Sequence, residues 1–548
     1  MSRIKLPEFI HEVIDDPRQR GILLAGSLAL FAVGLTPRVL SPGLPNAQEV
    51  LRSQAELQNL FLLLAFVSTA TIILGGLVSD LFRHRALLVG GLATMLVGAL
   101  VAALAVDDGP GFYLANFVAV AAAGVVLAYG IGSVAIAYEG IPRATALGFV
   151  YGAFGAGAAA SPAVLTLFPR LLPSDEPGTP STFTFDTTLA YALTAIAAGI
   201  ALWAAYRWIP RIPGTLPASR RLVTAVAVWS LAVLAIVCGV LGLGGVGGWA
   251  MPFVLIVGGA IGLAAVTAWT RRHTPDFGQL HVDRRGLAAV LAVGVAIGFA
   301  QAVPLMLLPV VFEYPLRYGT WWAVLAIAPF AIALFLAGPI SGVLIRRFGP
   351  RGMMSFGTLA VGAANLLLAL VLGGIVGWVR EFYETNPDTA LAVLGAGHYL
   401  LFIVPLVLVG AGFVVSTTVR TAIVFAITPR GLPSSAAAIN EASVGLGSRI
   451  GIVAATTALA ATAVASARSM AERGPPAEVD TLVAEFELTL QSLGTPRFRE
   501  VYAATLEGAE AIKGAAYSVA YIDGVITALV ISGVVGLLGA GLAWVLIG

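Results

Sequence analysis

Charge is what this sequence has least of. Asp, Glu, Lys and Arg make up 11% of its 548 residues, where a soluble domain carries about 25%, so the chain cannot clothe itself in charge against water. A net charge of +2 spread over so few groups makes no basic footprint, and no nucleic-acid partner is expected. Cysteine is nearly absent. Cys238, the single one, sits in an apolar segment, which rules out a disulfide framework, a CxxC pair or a thiolate metal centre within one chain. Missing too are the phosphate-cradling GxxxxGK[ST] loop, the zinc-binding HExxH helix, the GxSxG nucleophile elbow and any His/Asp cluster at metal-ligand spacing. No catalytic residue, metal or cofactor is expected, and the absences argue against a membrane-embedded enzyme.

Apolar residues fill the space, at 58%. Segments of roughly 18 apolar residues or more, separated by charged or Pro/Gly-rich joints, recur along the chain, the pattern of an all-α polytopic membrane protein. The joints delimit spans at 21–45, 57–80, 86–106, 112–138, 144–168, 187–206, 222–245, 249–270, 286–312, 319–345, 352–376, 394–427, 435–466 and 517–547. An even count of fourteen puts both ends of the chain on one side. Nineteen of the 31 Lys and Arg fall in joints on that side, against four (Arg52, Arg170, Arg317 and Arg380) in the opposite short joints. The positive-inside rule then makes the rich side cytoplasmic and the protein multi-pass in the cytoplasmic membrane.

Residues 1–20, "MSRIKLPEFIHEVIDDPRQR", hold acids and no continuous apolar core, unlike a cleavable signal peptide. Phe9, Ile10, Val13 and Ile14 recur at helical spacing and read either as an amphipathic helix on the membrane surface or as a frayed tail. On the outer side, residues 169–188 and the loop 467–516 are polar enough to stand outside the bilayer. The second contains "VDTLVAEFELTLQSL", a candidate surface helix in a cap or lid.

The joints repeat. "GLVSDLFRHR" (Gly76 to Arg85) follows the second span and "GVLIRRFGPR" (Gly342 to Arg351) the tenth, while "YEGIPRATALG" (Tyr138 to Gly148) after the fourth pairs with "FAITPRGLPSS" (Phe425 to Ser435) after the twelfth. Such spacing implies two six-helix halves with two extra helices between them and a substrate site at their midplane. On these motifs the chain resembles the major facilitator superfamily, specifically its fourteen-span drug:proton antiporter-like branch. Gly76, Asp80, His84 and Arg85 stand in the family's G-x-x-x-D-R-x-G-R-R loop, with Leu81 and Arg83 as departures; Gly342, Arg346, Gly349 and Arg351 stand in the later copy. "LTPRVLSPGLP" (Leu35 to Pro45) aligns with the branch's L-D-x-T-V-V-N-V-A-L-P, and "GSRIG" (Gly447 to Gly451) is a further match. The resemblance implies 14 transmembrane helices: a six-helix bundle over 21–210, two linker helices in 211–285 and a second six-helix bundle over 286–548.

It also implies roles. Asp80 would latch the halves near Ser434 and Ser435, alongside Gly76, Arg83, Arg85, Glu139, Arg143, Gly342, Arg346 and Gly349 of the same motifs; Arg83 and Arg85 also suit lipid phosphates. "GFVYGAFGAGAAASPAV" places Gly152, Gly155 and Pro162 along the fifth span, a degenerate match to the antiporter motif, read either as a hinge or as tight packing. Charges deep in spans are costly, on the order of 3 kcal/mol by insertion scales, and face a partner or a cavity. Here they include Arg420, Glu441 and Arg449, with Gln301 and His398 as polar companions. Glu441 reads as an interfacial acid or as a proton carrier. It lies about 12 Å along the helix from Arg449, too far to pair with it, and either can meet Arg420. The branch's first-span acid is Thr36 here and its following Thr is Arg38. Arg38 is about 27 Å along a helix from Arg20, in reach of the outer surface for snorkelling or of a basic outer cavity.

The expected function is secondary active transport, a proton-coupled exporter of an amphipathic or hydrophobic compound working as a monomer. Carriage of a lipid or glycolipid by the same fold is the alternative, and a non-transporting scaffold a third reading.

Overall fold

The computed structural model describes residues 13, 15–36, 67–76, 78, 84–105, 109–171, 180–211, parts of 228–239, 250–273, 284–313, 315–316, 326–385, 396–428, 433–471, 483–484 and 511–546; α-helix is the one regular structure among them. A backbone in hydrocarbon must satisfy its own amides, and long apolar segments do so as helices. These are α1 (Pro17–Leu35), α2 (Val67–Gly76), α3 (His84–Leu104), α4 (Gly109–Ala137), α5 (Gly140–Leu171), α6 (Pro180–Trp208), α7 (Ala250–His273), α8 (Arg284–Glu313), α9 (Ala328–Thr385), α10 (Ala396–Ile427), α11 (Pro433–Ala471) and α12 (Ala511–Leu546). Eight stretches among the described residues are long and apolar enough to cross a membrane. Large apolar side chains point outward, Leu104 at 87% and Val545 at 72% exposure. That is the inverse of a soluble protein's surface and suits lipid.

Local chemistry sets the breaks. Asp16 caps α1 by accepting the Arg18 N–H at 2.9 Å, with Pro17 in the first turn, where its missing N–H costs nothing. Gly349 interrupts α9 at φ 74° and ψ 161°, a conformation that a Cβ disfavours. The break divides α9 between the tenth and eleventh expected spans.

Packing sorts the helices into two groups. The first comprises α1 and α3 to α6, the second α8 to α12; α2 rests on α4, where Gly124 faces Ser68 and Thr71. Gly259 of α7 faces Ala232 and Ile236, so the described parts of the expected linker helices pack on each other. The groups meet where α5 runs along α9 and α10, and α4 along α11. Lipid gives helices no hydrophobic drive to associate, and small residues that let backbones approach take its place. Across α5 and α9, a Cβ on either Gly148 or Gly338 would strike the other's carbonyl.

The arginine-bearing helix ends are tied together. Arg85 Nη2 donates to the Tyr206 carbonyl at 2.5 Å, Gln19 to the Ala137 carbonyl at 3.1 Å and the Tyr138 hydroxyl to the Val13 carbonyl at 3.0 Å. Burial, then the charge of Asp16, pushes Tyr138 up to about 12. Phe9, Ile10 and Ile14 of the expected N-terminal surface helix lie outside the described residues, as do residues 472–482 and 485–510 of loop 467–516.

Candidate functional site

Where the two groups meet, the side chains turn polar around a buried arginine. Arg420 on α10 is 0% exposed, the one charged side chain wholly buried among the described residues. Its Nη1 donates to the Asn440 carbonyl at 3.1 Å and the Ser443 hydroxyl at 2.7 Å, both on α11. Nη2 lies 3.9 Å from Glu441 Oε1, an ion pair too long for a hydrogen bond. Gly294 on α8 leaves the room: a Cβ there would meet Nη1 and the Ser443 hydroxyl.

Glu441, with 11% of its side chain exposed, is held by other donors. The Tyr151 hydroxyl reaches over from α5 and donates to Oε1 at 2.5 Å, and Asn440 Nδ2 donates to the same oxygen at 3.1 Å. Tyr151 also touches the Thr421 hydroxyl at 2.8 Å. Thr421 donates to the Thr417 carbonyl at 2.7 Å and accepts from Asn440 Nδ2 at 2.8 Å. One side chain of the first group thus closes on an acid and a hydroxyl of the second.

The hydroxyl protons can be counted. With Glu441 ionised, Tyr151 and Thr421 bring two protons to three contacts: Tyr151 with Glu441, Tyr151 with Thr421, and Thr421 with the Thr417 carbonyl. A third proton, on the Glu441 carboxyl, completes a chain running from Glu441 through Tyr151 and Thr421 to the carbonyl.

Of the residues singled out in the sequence, Arg420 and Glu441 come together here. Arg449 lies two turns further along α11, half-buried with contacts of its own. Gln301 is half-buried on α8, and the polar tie beside it is made by Asn365, which donates to the Ala300 carbonyl at 2.8 Å and to Ser532 at 3.0 Å. His398 is apart from the site. Its ring sits edge-on to Trp378, centroids 4.5 Å apart, in a groove of about 400 Å³ lined by Leu367, Leu370 and Leu401. Arg38, Asp80 and Arg83 lie outside the described residues.

The motif residues concentrate at the junction of the groups. Gly76 abuts Ser434 and Ala438 at the start of α11, with the Ser435 hydroxyl 3.5 Å from its carbonyl. Gly342 meets Thr145, Gly152 meets Phe335 and Gly155 meets Leu334. Arg143 donates from Nε to the Tyr138 carbonyl at 2.7 Å and lies over the Phe425 ring of α10 at 5.8 Å. Glu139 is exposed beside Gly140, whose φ is 62°. Arg85 stays within the first group, over the Tyr206 ring at 4.5 Å. Arg346 is half-buried before the Gly349 break, and Pro162 lies within α5. Sequence reasoning that tracked charges passed over Tyr151, Thr421, Asn440 and Ser443. Their signal was polar side chains beside an in-span acid, in "AINEAS", and one tyrosine in the glycine-rich "GFVYGAFG".

Residues 26–382 match the sequence profile of the Major Facilitator Superfamily. A comparison with curated proteins found no match. Among solved structures, the fold is similar to the xylose transporter XylE from E. coli in a partially occluded inward-open conformation, at 15% identity over 96% of this chain and 97% of that one, with a TM-score of 0.50. It is similar also to the human organic anion transporter MFSD10, at 13% identity over 96% and 100% with a TM-score of 0.54. An auto-inhibited peptide transporter of the POT family aligns at 16% identity over 89% and 97%, with a TM-score of 0.53.

Proposed function

This chain belongs to the Major Facilitator Superfamily, a family of membrane transporters rather than enzymes, and within it we propose a fourteen-span, proton-coupled secondary active transporter that moves an amphipathic compound out of the cell. The observation that carries the reading is the Tyr151–Glu441 hydrogen bond, an acid of one helix group closed by a hydroxyl of the other. In alternating access a midplane site opens to each side in turn as the groups rock. A titratable group whose partner sits across that moving junction feels the motion directly, and its proton biases which state is populated. Export and the fourteen-span branch rest on the resemblance of the joint motifs, with the arginine-rich end facing the cytoplasm and the chain acting as a monomer.

The cargo sits between the groups beside Arg420 and Glu441, with Arg449 further along its path; Gln301 and His398 serve packing. Lipid or glycolipid carriage is the second reading. It is favoured by a wholly buried arginine in a region closed by small residues, since a headgroup is the commonest source of an anion in a membrane.

Purified protein in liposomes loaded with a pH dye tests the coupling. Adding a panel of amphipathic compounds to wild type is expected to move protons with at least one of them, and Glu441→Gln to abolish that movement. Cargo flux carrying protons as before in Glu441→Gln would sink the assignment, and movement of phospholipid alone would replace the cargo class.

A further inference from the structure

The guanidinium of Arg420 has two edges, and only one is used. Nη1 is spent on Asn440 and Ser443. Nε and Nη2, which share the side-on edge, make no hydrogen bond among the described residues, although the side chain is 0% exposed. That edge is the fork that takes an oxyanion through two parallel N–H bonds, the strongest pairing an arginine makes. The natural occupant is near but turned away. Glu441 Oε1 stops 3.9 Å from Nη2, held by Tyr151 and Asn440. On the same two helices, Asn440 Oδ1 and the Thr417 hydroxyl are likewise buried without a hydrogen-bond partner among the described residues. Four buried polar atoms left unsatisfied on two facing helices are costly in a fold where such groups are ordinarily paired.

We propose that the Nε–Nη2 edge of Arg420 is the binding site for a carboxylate carried by an amphipathic cargo, reached when Tyr151 withdraws with its helix group. The proposal rests on the transport reading but not on its direction. One guanidinium neutralises one negative charge, which fits a monocarboxylate, whose two oxygens are coplanar with the fork. The other titratable groups against Arg420 are Glu441 from α11 and Tyr151 from α5; α8 presents Gly294 there. An ionised Glu441 beside a bound carboxylate sets two like charges around one arginine, so the carboxylate binds best when Glu441 carries a proton. Anion and proton then load together, whichever way the cargo runs.

Decanoate, decylamine and decanol share one chain and differ in headgroup, and thermal stability in nanodiscs reads their binding without any gradient. Decanoate is expected to raise the melting temperature of wild type in a saturable way, more at pH 6 than at pH 8, with decylamine and decanol having no effect. Glu441→Gln removes the competing carboxylate, so it should bind decanoate about tenfold more tightly at pH 8 and lose the pH dependence. Arg420→Lys keeps the charge but not the fork and should bind it at least tenfold more weakly; if this variant does not fold, Glu441→Gln decides alone. Equal stabilisation by decylamine, an unchanged affinity in Glu441→Gln, or a response only to a phosphodiester lipid would each overturn the proposal. Because no proton flux is measured, a failure of the coupling assignment leaves this result standing, and the reverse holds.

Discussion

Replacing Tyr151 with phenylalanine removes one oxygen and leaves the ring, so it isolates the hydroxyl that joins the two helix groups. That hydroxyl donates to Glu441 at 2.5 Å and touches Thr421 at 2.8 Å. A hydrogen bond to a charged group contributes roughly 1.5–3 kcal/mol net; the Asn440 contact to the same oxygen survives, so about 2 kcal/mol is a fair central value. Because the bond exists only while the groups are together, its loss falls on the closed-to-open equilibrium rather than on folding. Two kcal/mol corresponds to about a 30-fold shift in that ratio. Spin labels at Glu139 of the first group and Thr428 of the second, in a Cys238→Ser background, report the separation of the arginine-rich ends. Wild type should show mainly the short distance, and Tyr151→Phe a longer distance gaining population by about the stated factor. The double variant Tyr151→Phe/Glu441→Gln should add little beyond either single change, since both remove one contact. An unchanged distance distribution in Tyr151→Phe would falsify the view that this bond holds the groups together.

Gly294→Ala places a methyl against Arg420 Nη1 and the Ser443 hydroxyl, and should lower the melting temperature by several degrees and abolish transport, whereas Gly258→Ala, with nothing within 4 Å of its Cβ, should do neither. Gly338→Val drives a side chain into the backbone of Gly148 across α5 and α9; in the same spin-label experiment it should favour the long distance. Gly349→Ala strains a backbone at φ 74° and ψ 161° by about 1–3 kcal/mol and should lower the melting temperature, while Gly352→Ala, helical and with open space, should be neutral. Tyr138 is pushed up to about 12 by burial and Asp16 from an ordinary value near 10. The folded state therefore resists ionisation: the stability tied to this hydroxyl is intact below pH 10 and lost as pH rises toward 12. Tyr138→Phe should remove that part of the alkaline loss.

The long apolar helices among the described residues were legible because hydrocarbon imposes one rule on every segment that crosses it, a long apolar run with charged ends. His84–Leu104 against the expected 86–106 and Ala396–Ile427 against 394–427 differ by a few residues. The break at Gly349 was readable as a joint between arginines, though its left-handed backbone was not. Arg420 and Glu441 stood out because an in-span charge is rare, but their pairing did not. They are 21 residues apart on two different helices, and no spacing rule spans that distance. Tyr151 was hidden for a different reason: one tyrosine among apolar residues looks like packing until its hydroxyl is placed. Arg449, equally visible as a charge, points to the limit of counting charges alone, because two turns of helix carry it away from the cluster.

The two kinds of contact across the junction do different work. Gly148 against Gly338, Gly342 against Thr145 and Gly76 against Ser434 bring backbones close over a long stretch, but dispersion between such surfaces is individually small and is regained against other neighbours when helices rock. Those contacts define a closed geometry without committing the protein to it. The Tyr151–Glu441–Thr421 cluster is directional, and in a low-dielectric interior an acid that loses its partner is costly. Small residues therefore make the movement cheap, and the polar cluster decides when it happens. In the transport mechanism proposed above, Glu441 links that decision to a proton and, through the open edge of Arg420, to an anion. A site built only of the glycine contacts would open and close without regard to what it carried.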